Sequence, residues 1–218
     1  MKPPESFPGE SMRRRAFLSS LFATASLSVL PGAAGAAAGH VQGTEEDGPI
    51  TYGPPSREGS NLDRMVNMID PVLDLHNAHT DEVIRVRFFT ATGYDLDALT
   101  AINRIMRDWR QDESPQNDPR IFWGLAATRM SAMKDGHNGR QVILSGYRSL
   151  KTNEMLRRTG HKAASNSFHL KAQAVDFTME GIPQDRVGGF VQWLGVGGTG
   201  FYPRNHFTHM DSGPVRSW

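Results

Sequence analysis

The residues whose types and spacing could hold a metal ion lie in the C-terminal part of the chain. His169 and Asp176 are seven positions apart, and His209 follows further along. A catalytic zinc site uses three protein ligands of these types and leaves a fourth position open for water or substrate. Because the chain contains no cysteine, any metal must be held by His, Asp or Glu. By spacing alone, however, a chance arrangement of surface polar residues explains this pattern better.

Three short strands are predicted near these residues. Ala174–Thr178 and Phe207–Asp211 have the short apolar or alternating pattern of strands. Asp176 and His209 lie within them, so the two side chains meet if the strands are neighbours. Residues 141–144 are short and β-branched and predict a third, buried strand. The candidate metal site is therefore expected at a sheet.

Helical patterns flank the predicted strands. Asp97 is the predicted cap of a helix whose apolar stripe is Ala98, Ile102, Ile105 and Trp109. Asp118 and Pro119 predict the start of a second helix, which buries residues from Phe122 to Met133 and ends at Gly136. Residues 149–158 and 184–194 predict two more helices.

The order of these elements indicates the fold class. Residues 83–88 alternate apolar with basic side chains, which predicts a half-buried strand with Ile84, Val86 and Phe88 facing inward. Helices and strands do not alternate strictly along the chain. We therefore expect an α+β fold, with a small antiparallel sheet, flanking helices and the zinc site at the sheet.

The N-terminal segment is typical of an export signal. Basic residues 13–15 precede an apolar stretch of residues 16–30 and then small residues, and Arg14-Arg15-Ala16-Phe17-Leu18 resembles the twin-arginine signal. We expect the twin-arginine export machinery to recognise residues 1–38, with cleavage near Ala36 or Ala38 and delivery to the periplasm. The apolar stretch is shorter than the roughly 18 residues that span a bilayer, so no stable membrane span is expected. A retained anchor is the alternative.

Composition bounds the rest of the chain. The 218 residues, 38% hydrophobic and 22% charged, fit one medium globular domain with extensions. Residues 39–60, rich in Gly, Glu, Pro and Ser, predict a flexible linker before a domain at 61–218. The net charge is +1, and without the first 38 residues it is near −1. This balance argues against nucleic acid as a partner.

Four ordered motifs resemble the murein endopeptidase K group, which belongs to the zinc D,D-peptidases together with the D-alanyl-D-alanine dipeptidases and carboxypeptidases. The similar stretches span roughly residues 70–218 and are residues 75–80, 145–149, 167–177 and 200–214. The resemblance implies a zinc D,D-peptidase-like domain with Zn²⁺ bound by His169, Asp176 and His209. It also implies that the enzyme cuts peptide cross-links of peptidoglycan, with the peptide stems as partners. A D,D-carboxypeptidase and an inactive module that binds cell-wall peptides are the alternatives.

The remaining catalytic candidates are Arg148, His206 and Asp211. Arg148 follows a predicted buried strand, where its guanidinium could hold a carbonyl oxygen or a carboxylate, or else form a structural salt bridge. The dipeptidase branch of the resembled class has a carboxylate base three residues before its last His ligand, and His206 occupies that position here. A period of two places Asp211 on the face of His209 and His206 on the other. Asp211 is therefore a candidate base, or an acceptor that orients His209.

Overall fold

A computed structural model of the chain describes residues 57, 59–161 and 163–218. The signal peptide predicted for residues 1–38, and nearly all of the linker predicted for residues 39–60, lie outside this part of the chain. Both therefore stay predictions. Within the described ranges, no helix has the length and apolar character needed to cross a membrane.

Five α-helices are present in the described residues. They are α1 (Asn61–Met65), α2 (Leu96–Ile105), α3 (Pro119–Lys134), α4 (Leu150–Arg158) and α5 (Gln184–Leu194). Local chemistry sets their ends: Asp118 accepts a hydrogen bond from the main chain of Arg120, and Ser149 caps α4 in the same way. Gly195 ends α5 with a φ of 67°, a left-handed conformation that suits glycine. The predicted positions of α3, α4 and α5 are confirmed.

Seven of the nine strands within the described ranges form one mixed sheet. In chain order the strands are β1 (Val72–Asn77), β2 (Val83–Arg87), β3 (Phe89–Thr90), β4 (Gly93–Tyr94), β5 (Gln141–Ser145), β6 (Ala174–Thr178), β7 (Gly198–Tyr202), β8 (Phe207–Asp211) and β9 (Arg216–Ser217). The order across the large sheet is β2-β1-β5-β6-β8-β7-β9, and β3 and β4 form a separate pair. The pairs β1–β5 and β7–β9 are parallel, and the other pairs are antiparallel.

The α+β class is confirmed, but the expectation of a small antiparallel sheet is wrong. The sheet is large and mixed because it includes two strands that were not predicted. One is β1, whose Leu73 and Leu75 are fully buried between β2 and β5. The other is β7, where a Cβ on Gly198 would lie 2.6 Å from a carboxylate oxygen of Asp211. Glycine at this position leaves room for the carboxylate of Asp211 to approach the backbone of β7. In the sequence alone, the same glycine indicates a turn.

Two details of α2 differ from the prediction. The helix is capped by Asp95 rather than Asp97, because the chain leaves β4 at Tyr94 and turns into the helix at once. Asp97 then lies in the first turn. Trp109 lies beyond the helix, which ends at Ile105, and the main-chain oxygen of Met106 instead accepts a hydrogen bond from the segment that follows β5. Trp109 is consequently 38% exposed.

The end of the predicted linker contacts the domain. Arg57 donates a hydrogen bond to the main-chain oxygen of Gly213 (2.6 Å). Ser60 is buried and accepts a hydrogen bond (2.9 Å) from the buried guanidinium of Arg120, which also pairs with Asp63 (2.8 Å). The contacts of the domain therefore begin before its predicted start.

Candidate active site

The register of two neighbouring strands brings Asp176 and His209 together. β6 and β8 are antiparallel, and Asp176 lies directly opposite His209 in their ladder. His169 comes from a short 3-10 helix, Phe168–Lys171, that immediately precedes β6. The hydroxyl of Ser167 accepts a hydrogen bond from the main-chain N–H of His169 and so fixes the start of this turn (3.3 Å).

Three side chains converge on one point. The Nδ1 atom of His209 is 2.7 Å from Oδ1 of Asp176, and Nε2 of His169 is 3.3 Å from Oδ2 of the same carboxylate. The two imidazole nitrogens are 3.3 Å apart. One ligand atom from each residue therefore lies within 4.8 Å of the others. Two imidazoles and a carboxylate this close match the donor set of a metal site.

The outer nitrogens of both imidazoles have partners that fix their orientation. Nδ1 of His169 donates a hydrogen bond to the main-chain oxygen of Gly146 (2.6 Å). Nε2 of His209 lies 2.9 Å from Oδ2 of Asp211. Metal-binding imidazoles usually have their second nitrogen held in this way, which directs the free lone pair of the first towards the metal. The arrangement therefore fits a bound cation as well as a hydrogen-bonded cluster.

Asp211 orients His209 and is not available as a base. Its side chain is fully buried. Oδ1 accepts hydrogen bonds from the main-chain N–H groups of Gly198 and Gly213 and from Arg216, while Oδ2 accepts from Arg216 and His209. With both oxygens occupied, this carboxylate has no free lone pair directed at substrate. Of the two roles predicted for Asp211, the geometry supports orientation.

His206 lies outside the three-residue cluster. It directly precedes β8, it is exposed, and its φ of 56° is left-handed. Among the described residues, its imidazole has no hydrogen-bond or ion-pair partner. The structure therefore keeps it accessible to water and does not place it among the metal-binding candidates.

Arg148 is held beside the cluster with its charge unpaired. Its main-chain N–H donates to the main-chain oxygen of His169 (3.1 Å), which couples the end of β5 to the turn that carries His169. The buried Nε atom has no hydrogen-bond partner, and no carboxylate within the described ranges forms an ion pair with this guanidinium. Burial lowers the pKa of Arg148, and the negative charge of Asp176 opposes that shift. The side chain is thus available to bind an anionic or partially negative oxygen.

One aromatic residue near the cluster was missed from the sequence. The ring of Trp218 lies 5.3 Å from the ring of His209, and its Nε1 atom donates to the hydroxyl of Tyr202 (2.7 Å). Its position follows from the parallel pairing of β9 with β7, which no local pattern indicates. Tyr202 also stacks on Phe207, with ring centroids 4.4 Å apart.

Comparison with known proteins shows which family this arrangement comes from. Residues 69–218 match the model of a peptidase family described as peptidoglycan L,D-endopeptidase MepK. The chain belongs to this family. The resemblance to the murein endopeptidase K group is therefore confirmed, and so is the expectation of a peptidase.

Individual relatives agree with the family match. The MepK peptidoglycan L,D-endopeptidases of Escherichia coli K12 and Shigella flexneri are each 37% identical to this MepK-family chain over 153 residues, which is 67% of this chain and 79% of the relative. A probable MepK of Haemophilus influenzae is 34% identical over 147 residues, or 67% and 78% of the two chains. No solved structure gives a match.

Gly146 is the point where the turn that carries His169 meets the end of β5 in this MepK-family chain. A Cβ at Gly146 would lie 2.2 Å from the main-chain oxygen of Met106, so the backbone has to move. Gly146→Ala is expected to lower the free energy of unfolding by about 1–3 kcal/mol. The same shift moves the carbonyl that holds His169, so divalent-metal affinity is expected to fall about 10- to 100-fold. Urea denaturation and metal titration measure the two effects.

Gly189→Ala is the matched control, because nothing lies within 4 Å of a Cβ at that position in α5. It is expected to keep metal affinity and to retain or raise stability. Parent-like stability and affinity in Gly146→Ala would show that Gly146 does not couple β5 to His169.

The metal-free cluster holds a proton on His209. Burial lowers the pKa of His209, but hydrogen bonds to Asp176 and Asp211 outweigh it and raise the pKa to about 9. Burial raises the pKa of Asp211, but hydrogen bonds from His209 and Arg216 outweigh it and lower the pKa to about 2. In the same way, the interactions with His169 and His209 hold the pKa of Asp176 far below its usual range. Burial also lowers the pKa of His169, against the charge of Asp176.

These shifts predict how the stability of the metal-free protein depends on pH. The pKa of His209 is higher in the folded state than the value of about 6.5 for unfolded His, so its contribution is complete below that value and is lost as pH rises through about 9. The pKa of His169 is lower in the folded state, so its contribution is lost as pH falls below the unfolded value. Thermal unfolding of chelator-treated protein is expected to show Tm falling between about pH 7 and 10.

His209→Gln separates this effect from general alkaline unfolding. The variant cannot hold the proton, so its Tm is expected to be flat over the same alkaline range. Metal binding requires a deprotonated imidazole, so addition of metal to the parent at neutral pH is expected to release a proton that the variant does not release. An equal alkaline fall of Tm in parent and variant would contradict the assignment.

Proposed function

We propose that this chain is an exported zinc endopeptidase that hydrolyses peptide cross-links in peptidoglycan. The observation that carries the proposal is the convergence of His169, Asp176 and His209, with the outer nitrogen of each imidazole anchored. Membership of a peptidase family whose relatives are named peptidoglycan L,D-endopeptidases supports the substrate class. We extend the same bond type, between an L centre and a D centre, to this chain.

Each residue of the proposed site has a distinct role. A bound zinc ion would lower the pKa of water and polarise the scissile carbonyl at neutral pH. His169, Asp176 and His209 are the proposed ligands, and Asp211 keeps His209 in its ligating orientation. Arg148 is proposed to hold the carbonyl oxygen as negative charge develops on it, because its guanidinium lies beside the cluster and its buried Nε atom has no hydrogen-bond partner among the described residues.

His206 is the proposed proton acceptor. Of the predicted catalytic candidates, Arg148 is a cation and Asp211 is fully engaged, whereas the imidazole of His206 is accessible. Imidazole is the side chain that most often serves as a general base in enzymes. His206 directly precedes β8 and lies three residues before His209. A His206→Ala variant that keeps full activity would remove it from the mechanism.

Export by the twin-arginine route completes the proposal. The basic, apolar and small segments of residues 1–38 support it, as does the absence of cysteine in the whole chain. In this proposal the periplasm is the site of action and the peptide stems of the cell wall are the partners. Loss of periplasmic protein when Arg14 and Arg15 are both replaced by Lys is the expected result, whereas undiminished export would contradict the route.

The activity is tested with purified mature protein and defined muropeptides. Dimers cross-linked between two diaminopimelate residues are expected to be split to monomers, chelation to stop the reaction, and zinc to restore it. Dimers cross-linked through D-alanine test bond selectivity. Loss of a single alanine from a pentapeptide monomer would instead identify a carboxypeptidase. Failure to cut any substrate, with zinc bound and peptide still retained, would identify a binding module.

A further inference from the structure

A polar cleft lies beside Arg148, between the end of β5 and the segment that follows α2. Trp109 and Arg110 line it from that segment, and Tyr147 and Arg148 line it from the end of β5. His79 completes the wall by donating through Nε2 to the main-chain oxygen of Leu144 (2.9 Å). The cleft is separate from the three metal-binding candidates but shares Arg148 with the proposed catalytic machinery.

Aromatic stacking builds one wall of this cleft. The imidazole of His79 stacks on the indole of Trp109, with ring centroids 5.0 Å apart and planes inclined by 26°. The guanidinium carbon of Arg110 lies 4.3 Å from the centre of the same indole. Such contacts reduce the freedom of a long side chain and leave its N–H donors available to a ligand. The wall therefore presents an apolar ring face next to a positioned cation.

The charges of the cleft do not cancel. Arg107 is buried and paired with Glu82 (2.6 Å) and Asp112 (2.9 Å), so it contributes little free charge. Asp108 is also buried, and its carboxylate accepts hydrogen bonds from the main chain and hydroxyl of Ser149 (2.9 and 2.7 Å).

Hydrogen bonds from the neutral Ser149 leave the negative charge of Asp108 in place, so the lining keeps one buried carboxylate against the two guanidinium groups of Arg110 and Arg148. Within the part of the chain that the structure describes, neither guanidinium forms an ion pair. The carboxylate of Glu113 accepts a hydrogen bond from the hydroxyl of Tyr147 (3.3 Å). The residual charge of the lining is positive, which suits an anionic group carried on an apolar side chain.

The cleft is also rigidly connected to the metal cluster. Tyr147 donates through its main chain to Met106 (2.8 Å), and the neighbouring Gly146 accepts from His169. Hydrogen bonds therefore connect the lining of the cleft to the turn that carries His169. This is the geometry of a substrate subsite rather than of an independent binding site.

We propose that this cleft binds a free carboxylate of the peptidoglycan stem, with Arg110 as the specificity-determining cation and Trp109 as the surface for the methylene chain. The inference rests on the proposed function. Two residues of the stem could supply the group: diaminopimelate, through the carboxylate that is not in the peptide chain, and the γ-linked glutamate, through its α-carboxylate. Amidation of either one removes the negative charge and keeps the shape, so the two sources can be distinguished.

The test compares three cross-linked dimers: one unmodified, one amidated at diaminopimelate and one amidated at glutamate. The parent is expected to have a KM about five- to tenfold higher for one amidated dimer than for the unmodified dimer. Arg110→Gln is expected to raise KM for the unmodified dimer by a similar factor and to remove the discrimination, with kcat and zinc content unchanged. Arg158→Gln, an exposed arginine of α4, is the matched control and is expected to behave as the parent.

The outcomes separate this inference from the proposed function. If the parent cuts dimers but neither amidation changes KM in a way that depends on Arg110, the subsite is wrong and the endopeptidase stands. If the parent cuts nothing, the proposed function fails. Binding of a synthetic tripeptide ending in diaminopimelate, followed by Trp109 indole NMR, still tests the cleft. Binding weakened by Arg110→Gln and by one amidation supports it, and binding indifferent to both overturns it.

Discussion

His209→Ala is expected to abolish hydrolysis and zinc retention while the fold persists. His209 is one of three proposed protein ligands, and its loss leaves two where a catalytic zinc needs three. Loss of a residue that only orients a ligand costs about 10- to 100-fold in metal affinity, so loss of the ligand itself is expected to cost more than about 100-fold. Zinc per chain after dialysis, measured by mass spectrometry, reports retention.

The fold is expected to survive because its core lies elsewhere. Leu73, Leu75, Ile102 and Phe122 are buried among β1, α2 and α3, away from the cluster. In the variant, Asp211 keeps its hydrogen bonds from Arg216 and from two main-chain N–H groups. Circular dichroism of the same samples checks the fold.

Two further variants sharpen the result. Asp176→Asn removes the negative charge and replaces one potential metal-ligating oxygen by an amide nitrogen. This variant is expected to lose zinc in the same way. His76→Ala, at a strand residue that pairs with exposed Asp81, is the control and is expected to keep zinc. One zinc per chain in His209→Ala would refute the triad. Unfolding of both cluster variants would make the metal structural.

Arg148→Ala is expected to lower kcat about 100- to 1,000-fold, which is the cost of removing one positioned donor to a developing negative charge. Zinc content is expected to stay unchanged, because the hydrogen bond from Arg148 to His169 comes from the main chain, which the substitution retains. Arg148→Lys is expected to recover part of the rate, since an ammonium supplies the charge but not paired donors. Steady-state kinetics on a cross-linked dimer measures both variants.

Arg158→Ala is the control for the loss of an arginine and is expected to keep the parent rate. A parent-like kcat in Arg148→Ala would show that this guanidinium does not act on the reacting bond. A rise in KM with kcat preserved would assign it to substrate binding alone.

Much of the local structure could be predicted from the sequence. Asp118 and Pro119 begin α3 as expected, because a capping carboxylate and a proline at the first helical position act on their nearest neighbours. The strands that carry Asp176 and His209 were predicted for the same reason, since a period of two is visible within a few residues. The metal-binding candidates were also identified by residue type and by resemblance to a family.

The tertiary structure alone decided how these elements meet. Asp176 faces His209 because β6 and β8 are neighbours in one register, and such pairing joins residues far apart in sequence. The geometry favours Asp211 as an orienting group over a base, because donors from β7, from the turn after β8 and from Arg216 occupy its oxygens. The cleft wall at Trp109 likewise exists because the chain leaves α2 early and packs against β5. Caps and periodicities are local interactions that a sequence displays directly, whereas strand order and the donors around a carboxylate are set only when distant segments pack together.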